Sequence, residues 1–139
     1  MTQFRPECTP ATFMQIQRGT LPDLQGLEIV EVGEGVLKGR MTVERRHHAP
    51  NGFLHAASVI LVADTCCGYA TVAHLPAGAK GFTTIELKTN FFGTVLDGTI
   101  HCTATSRHRG RTTQVWDAEV TSDAGKLLAA FRCTQMVLV

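Results

Sequence analysis

From about Leu54 to His74 the chain runs apolar on every side, and one carboxylate, Asp64, stands in the middle of that run. Pro50 and Gly52 break the preceding loop, and after them only Gly68 interrupts good helix formers, at about 1 kcal/mol relative to alanine. The spacing predicts one helix of roughly twenty residues, about 30 Å long. A helix with no polar face either spans a membrane or is wrapped by the rest of its own protein. The strand-forming segments that follow need a central hydrophobic element, and no other stretch supplies one, so this helix is expected at the centre of the fold. Asp64 has Ile60 and Leu61 one turn before it and Cys67 and Gly68 one turn after. A carboxylate on such a stripe costs free energy unless something uses it.

The start of the helix carries a second chemical feature. Amides of the first turn, around His55, Ala56 and Ala57, lack intrahelical acceptors and lie at the positive end of the helix dipole. Such an end can receive a developing oxyanion. Ala56 and Asp64 are eight residues apart, about 12 Å along the axis, too far to act on one carbonyl carbon. If both serve one site, they come from two copies of the chain. That spacing predicts a symmetric homo-oligomer with sites at its interface.

The rest of the chain supplies the wrapping. Thr9 before Pro10 reads as a cap with proline at the first helical position, so a short helix is expected over Pro10 to Arg18, stopped by Gly19, with Phe13, Met14 and Ile16 turned toward the sheet. Strands are expected at Leu27–Val32 and Val36–Val43, and after the helix at Thr83–Phe92, Thr99–His108, Arg111–Ser122 and Lys126–Leu138. Asp97-Gly98, Arg109-Gly110 and Asp123-Ala124-Gly125 are the turns between the last four. The expected class is α+β: an antiparallel sheet of about six strands around one long helix, in a single domain over residues 1–139. At that length a substantial core can be buried.

At the helix the residues also resemble a known family. Gly52-x-x-His55-Ala56-Ala57 followed by Ala63-Asp64-Thr65 is similar to the G-x-x-H-G-G…A-D/E-T/S pattern of hotdog-fold acyl-CoA thioesterases of the phenylacetate-pathway (PaaI-like) type. Gly81-Phe82-Thr83-Thr84-Ile85-Glu86-Leu87-Lys88-Thr89-Asn90-Phe91 is similar to the family's third strand. Asp97-Gly98 is similar to its turn, and Arg109-Gly110-Arg111-Thr112 to its next hairpin. The resemblance runs from about Leu27 to the C-terminus. It implies hydrolysis of an acyl- or aroyl-CoA thioester to free acid and coenzyme A, with coenzyme A entering as part of the substrate and no other cofactor.

The resemblance also implies roles. Asp64 attacks the thioester carbonyl or activates water, the Ala56 amide polarises the carbonyl, and His55 shapes the helix start. Thr84 matches a residue that holds the attacking water in some relatives. Gly52, Ala57 and Phe82 line the substrate site. Three positions depart from the pattern. Ala56 and Ala57 stand where glycines are usual, and Ala49 stands where many relatives carry Gln or Asn, so that the nearest amide side chain is Asn51, two positions on. Asn51 is equally suited to the turn with Gly52. The basic hairpin Arg107, Arg109, Gly110 and Arg111 suits the phosphates of coenzyme A, although a charge run is also the ordinary surface of a turn.

Other chemistries find less support. Thirteen basic and twelve acidic residues, net charge +1, are mixed along the chain, so no basic face argues for nucleic acid. His47, His48, His55 and His74 show no metal-ligand spacing. Five cysteines without C-x-x-C spacing read as reduced, buried thiols. Cys66 or Cys67 could be a nucleophile only with a base that the sequence does not place nearby. MTQFRPECTPATFMQ carries no leader pattern, so a cytoplasmic protein is expected, and the family points to a dimeric unit assembled into a tetramer. The alternative function is a non-catalytic hotdog binder of acyl or other hydrophobic ligands, suggested by Ala49, Ala56 and Ala57. A hotdog dehydratase is disfavoured, because its His and Glu pattern is missing from the helix.

Overall fold

The computed structural model describes residues 4–139, and the first three residues of the leader reading lie outside that range. The chain folds as α1 (Pro10–Ile16), α2 (Leu21–Leu24), β1 (Glu28–Gly33), β2 (Val36–Thr42), a 3-10 turn (Arg45–His47), α3 (Ala56–Val72), β3 (Gly81–Phe91), β4 (Thr99–Arg109), β5 (Thr113–Thr121) and β6 (Leu127–Leu138). The six strands form one antiparallel sheet in the order β1-β2-β4-β5-β6-β3. The sheet wraps around α3, which touches every strand from β2 to β6. This is the hotdog architecture.

Burial rather than helix propensity holds α3 in place. Val59, Val62, Ala63, Cys66, Cys67, Gly68, Ala70 and Thr71 are buried along it. Against them the sheet turns Leu37, Met41, Ile100, Ala104, Trp116, Ala118, Leu128 and Cys133. Each large aliphatic or aromatic side chain buried in this layer contributes about 1.5–3 kcal/mol. Buried positions alternate with exposed or half-exposed ones along β5, and along β6 from Ala129 onward, as one covered face requires.

At the C-terminal end of α3 a run of hydrogen bonds passes through His74 and Gln114. His74 donates Nδ1–H to the Ala70 carbonyl at 2.7 Å and accepts the Gly35 amide at Nε2 at 2.9 Å. Gln114 donates to the His74 carbonyl and accepts the Trp116 indole N–H. Burial pushes the His74 imidazole below its ordinary range.

The N-terminal helix is shorter than expected. Thr9 caps it and Pro10 opens it, but it stops at Ile16. The next residue, Gln17, turns inward to donate to the Leu27 carbonyl and accept the Tyr69 hydroxyl, both at 2.8 Å. Phe13 stacks on Tyr69 with ring centroids 4.6 Å apart, so α1 packs on β1 and α3. Ile16 lies past that contact and is 58 % exposed, contrary to the expectation that it faces the sheet. The four-residue α2, opened by Pro22, is an addition that the sequence reading did not contain.

Candidate active site

The loop before α3 is built to fix the first turn of that helix. His47, buried, accepts the Glu44 amide at Nδ1 and donates Nε2–H to the Gln25 carbonyl, each at 2.9 Å. Its own carbonyl accepts the His55 amide and the Ser58 hydroxyl. His55 is the N-cap: its Nδ1 accepts the Ala57 amide at 2.9 Å. Ser58 and Val59 donate to the His55 carbonyl. Of the amides expected to be free, those of His55 and Ala57 are therefore taken. The Ala56 amide has no acceptor among the described residues, and Ala56 is exposed.

Asn51 is exposed, and its Oδ1 accepts the Phe53 amide at 3.1 Å, a side-chain turn beside Gly52, whose φ is +90°. Beside it lies an open cleft of about 580 Å³ lined by Arg45, His48, Ala49, Pro50 and Gly52. Sequence reasoning placed the phosphate-binding cations elsewhere and passed over Arg45. The signal was the run Arg45-Arg46-His47-His48, of which Arg46 pairs with Glu44.

Asp64 is half-buried, and its Oδ1 is sealed from solvent with no hydrogen-bond partner. Burial pushes its carboxyl above the usual range, because no cation or donor offsets the loss of water. One turn on, Gly68 receives the ring of Phe82 from β3. Thr84, two residues further along the same face of β3, lies directly across from Gln135. A bulge at Ile85 then shifts the register, so that Leu87, Thr89 and Phe91 share the inner face with Thr84 while Glu86 turns outward. Thr84, Leu87 and Phe91 remain exposed although they face inward. The inner face of β3 beyond Phe82 is thus left largely uncovered by the helix. The buried, unpartnered side chains of Gln135 and Thr89 belong to the same region and were missed from sequence.

The basic hairpin sits at the other end of the helix. Gln114, just after it, is bonded to His74, so one chain does not bring Arg107, Arg109 and Arg111 to its own Ala56. The strand β4 extends through Arg109, one residue further than expected, and β5 starts at Thr113, two residues later than expected, which leaves Gly110, Arg111 and Thr112 as the turn. Arg107 lies 3.4 Å from Asp117, which also takes a two-pronged contact from Arg132 at 2.6 and 3.0 Å. Arg109 faces Glu34 at 3.9 Å. Arg111 makes no ion pair among the described residues.

The five cysteines are buried free thiols. The adjacent Cys102 thiol and burial push Cys66 up, and burial with the adjacent Cys133 does the same to Cys67. Thiols held protonated in this way are poor nucleophiles. Among the described residues no three His, Cys, Asp or Glu side chains converge as a metal set, and no helix is long and apolar enough to cross a membrane.

A carboxylate on a central helix, a free amide at that helix's start and a six-stranded wrap define the PaaI-like hotdog class. The thioesterase superfamily model matches residues 51–129, more than half of the chain, and the chain belongs to that family of thioester hydrolases. It is 31% identical over 108 residues to the acyl-coenzyme A thioesterase PaaI of Escherichia coli, covering 77% of this chain and 74% of that one. It is 29% identical over 114 residues to a 1,4-dihydroxy-2-naphthoyl-CoA hydrolase of Listeria monocytogenes, covering 82% and 92%. The crystal structure of a mutant thioesterase from Pseudomonas aeruginosa superposes with a TM-score of 0.92 at 26% identity, covering 97% of both chains.

Proposed function

We propose that the protein is an acyl-CoA thioesterase that hydrolyses an acyl- or aroyl-CoA thioester to the free acid and coenzyme A, at sites shared between two copies of the chain. The observation that carries this reading is the unpartnered carboxylate of Asp64 in the middle of the central helix. A buried acceptor without a donor is costly unless function keeps it.

The edge strand supports the second copy. Its outer margin offers unpaired backbone groups along eleven residues, and Ile85, Leu87 and Phe91 on it are 53, 41 and 45 % exposed. A long apolar edge of this kind is a template for pairing. Pairing of β3 with its symmetry mate would lay the two α3 helices side by side and antiparallel. The Ala56 amide of one chain then meets the Asp64 carboxylate of the other, which the 12 Å spacing within one chain demands. A pair of such dimers makes the tetramer expected from the sequence.

In that arrangement the thioester oxygen accepts the Ala56 N–H, with His55 holding the turn. The partner's Asp64 either attacks the carbonyl carbon or takes a proton from a water held by Thr84, which attacks instead. The tetrahedral oxyanion collapses, the C–S bond breaks, and the thiolate of coenzyme A leaves with a proton. Water supplies the second oxygen of the acid in either route. Asn51, Gly52 and Ala57 border the entry, and Arg111 is the cation of the hairpin left for a phosphate.

The test is release of free thiol from a panel of short, long, aromatic and hydroxylated acyl-CoA thioesters, by wild type and by Asp64→Asn. Release that falls by orders of magnitude in the variant is the expected result. A folded variant that stayed active would overturn the assignment of Asp64, and silence on every thioester would favour a ligand-binding protein.

A further inference from the structure

His47 is 2 % exposed, and every polar atom it carries is engaged. Its amide donates to the Glu44 carbonyl and its Nδ1 accepts the Glu44 amide, both at 2.9 Å. Its Nε2 lies 2.9 Å from the Gln25 carbonyl. Its own carbonyl takes the His55 amide at 2.9 Å and the Ser58 hydroxyl at 2.8 Å. One buried residue thereby ties the segment after α2, the loop and the first turn of α3 together.

Those bonds admit one protonation state. The Glu44 amide can only donate, so Nδ1 must keep its lone pair, and the Gln25 carbonyl can only accept, so the proton sits on Nε2. A second proton, on Nδ1, would set N–H against N–H across 2.9 Å. It would also place a charge beside the Arg46 guanidinium, whose Nε stands 3.5 Å from Nε2. Loss of water opposes that charge most, Arg46 and His48 add to the opposition, and the Gln25 carbonyl and Glu44 favour it. From α3, His47 meets the His55 amide and the Ser58 hydroxyl, both uncharged. The balance pushes the imidazole below its ordinary range.

Resting on the thioesterase reading, we infer that His47 is the positioning residue for the Ala56 amide, and that it holds that amide in place only as the neutral imidazole. A ring that takes the second proton breaks from Glu44, and its displaced carbonyl releases the His55 N–H and the Ser58 hydroxyl. Ala56 follows His55 directly in the chain, so the turn that aims its donor loosens with them. His55 acts from inside the turn as its cap, and His47 anchors that cap from outside, without touching substrate. In acid the site therefore loses its oxyanion donor by a route separate from the protonation of Asp64.

Thiol release from hexanoyl- and benzoyl-CoA is followed across the acid and neutral range for wild type, His47→Asn and His47→Leu, with kcat and KM resolved and folding checked by circular dichroism at each pH. Wild-type kcat should fall through a step below 6.5, with KM changed by no more than about threefold. His47→Asn does not titrate, and its side-chain oxygen can still accept the Glu44 amide. It should keep about a tenth or more of kcat at neutral pH and lose the step, so that the acid limb drops from two protons to the one of Asp64. His47→Leu should lose about a hundredfold in kcat, the effect of one misplaced oxyanion donor. By NMR, the His55 amide of wild type should lose its protection from exchange through the same step. A folded His47→Asn that kept the two-proton limb, or a folded His47→Leu with wild-type kcat, would overturn the positioning role and leave the thioesterase reading intact. A wild type silent on both thioesters would overturn that reading, and a His55 amide unmoved by pH would overturn the role of His47 by itself.

Discussion

The Nδ1 of His55 accepts the backbone amide of Ala57 at 2.9 Å, and this single bond leaves Ala56 as the amide of the first turn that faces outward without an acceptor. The relationship makes the histidine a positioning group. His55→Ala should cost about 1 kcal/mol of stability, the ordinary price of a lost N-cap, and should lower kcat more than it raises KM, because the loosened turn no longer aims its donor. His55→Asn, which can cap through its side-chain oxygen, should recover most of both. Denaturant titration and thiol release on the three proteins read the two effects separately.

Asp64 predicts opposite signs for activity and stability. Burial raises its carboxyl from the ordinary 3.8, so turnover, which needs the ionised form, should fall as pH drops through that raised value, and the acid limb of the kcat/KM profile should lie above 3.8. For stability, a group raised on folding is favourable while protonated, below the unfolded value, and that advantage is lost as pH rises through the folded one. Asp64→Asn should therefore unfold later than wild type at pH 7, by about 1 kcal/mol, with the gain vanishing below pH 4. Urea midpoints across that range test it.

His74 runs the other way. Its imidazole is held neutral by burial, with Nε2 accepting from Gly35 and Nδ1–H donating to Ala70. The unfolded chain takes up a proton near 6.5, before the folded protein can, so stability is full above that value and falls as pH drops below it. His47 is shifted in the same direction for the same leading reason. The urea midpoint should be lower at pH 5 than at 7.5. His74→Gln should narrow that gap while costing about 1–2 kcal/mol at pH 7.5 through imperfectly met hydrogen bonds.

The exposed edge gives a prediction about assembly. Ile85→Lys or Leu87→Asp places a charge on the side chains of β3 that the proposed pairing would bury, and either change should yield monomers in sedimentation. If the site is shared, thiol release should vanish with the dimer although each chain is still folded. An active monomer would refute the shared site.

Much of this architecture could be read from the residues in order. The central helix announced itself because no face of Leu54–His74 is polar, and the structure trims it only to Ala56–Val72: Leu54 instead bridges to His48, and His55 is spent as the cap. Strand identities followed from alternation and turns. What alternation could not carry was placement. Nothing local in Gly81–Phe91 says that it leaves its neighbour in sequence, β4, for the far edge of the sheet beside β6. Gly68 showed in the sequence only as a cost, because its reason is a ring fourteen residues further on. The polar atoms of Gln135 and Thr89 were invisible for the same reason: a strand residue shows its face, not the company it keeps.

The far-edge position of β3 also sets a schedule for folding. Gly81 pairs with Leu138 and Phe91 with Ala129, so this strand waits for the one furthest downstream, while β4, β5 and β6 can zip as successive hairpins. Closing a loop of that size is slow compared with hairpin formation. During that interval α3 is shielded by the other strands, but the apolar residues of β3 have no partner within the chain. The surface proposed to carry the chemistry is thus the last to form and, until it forms, the part of the molecule most open to pairing with the wrong strand.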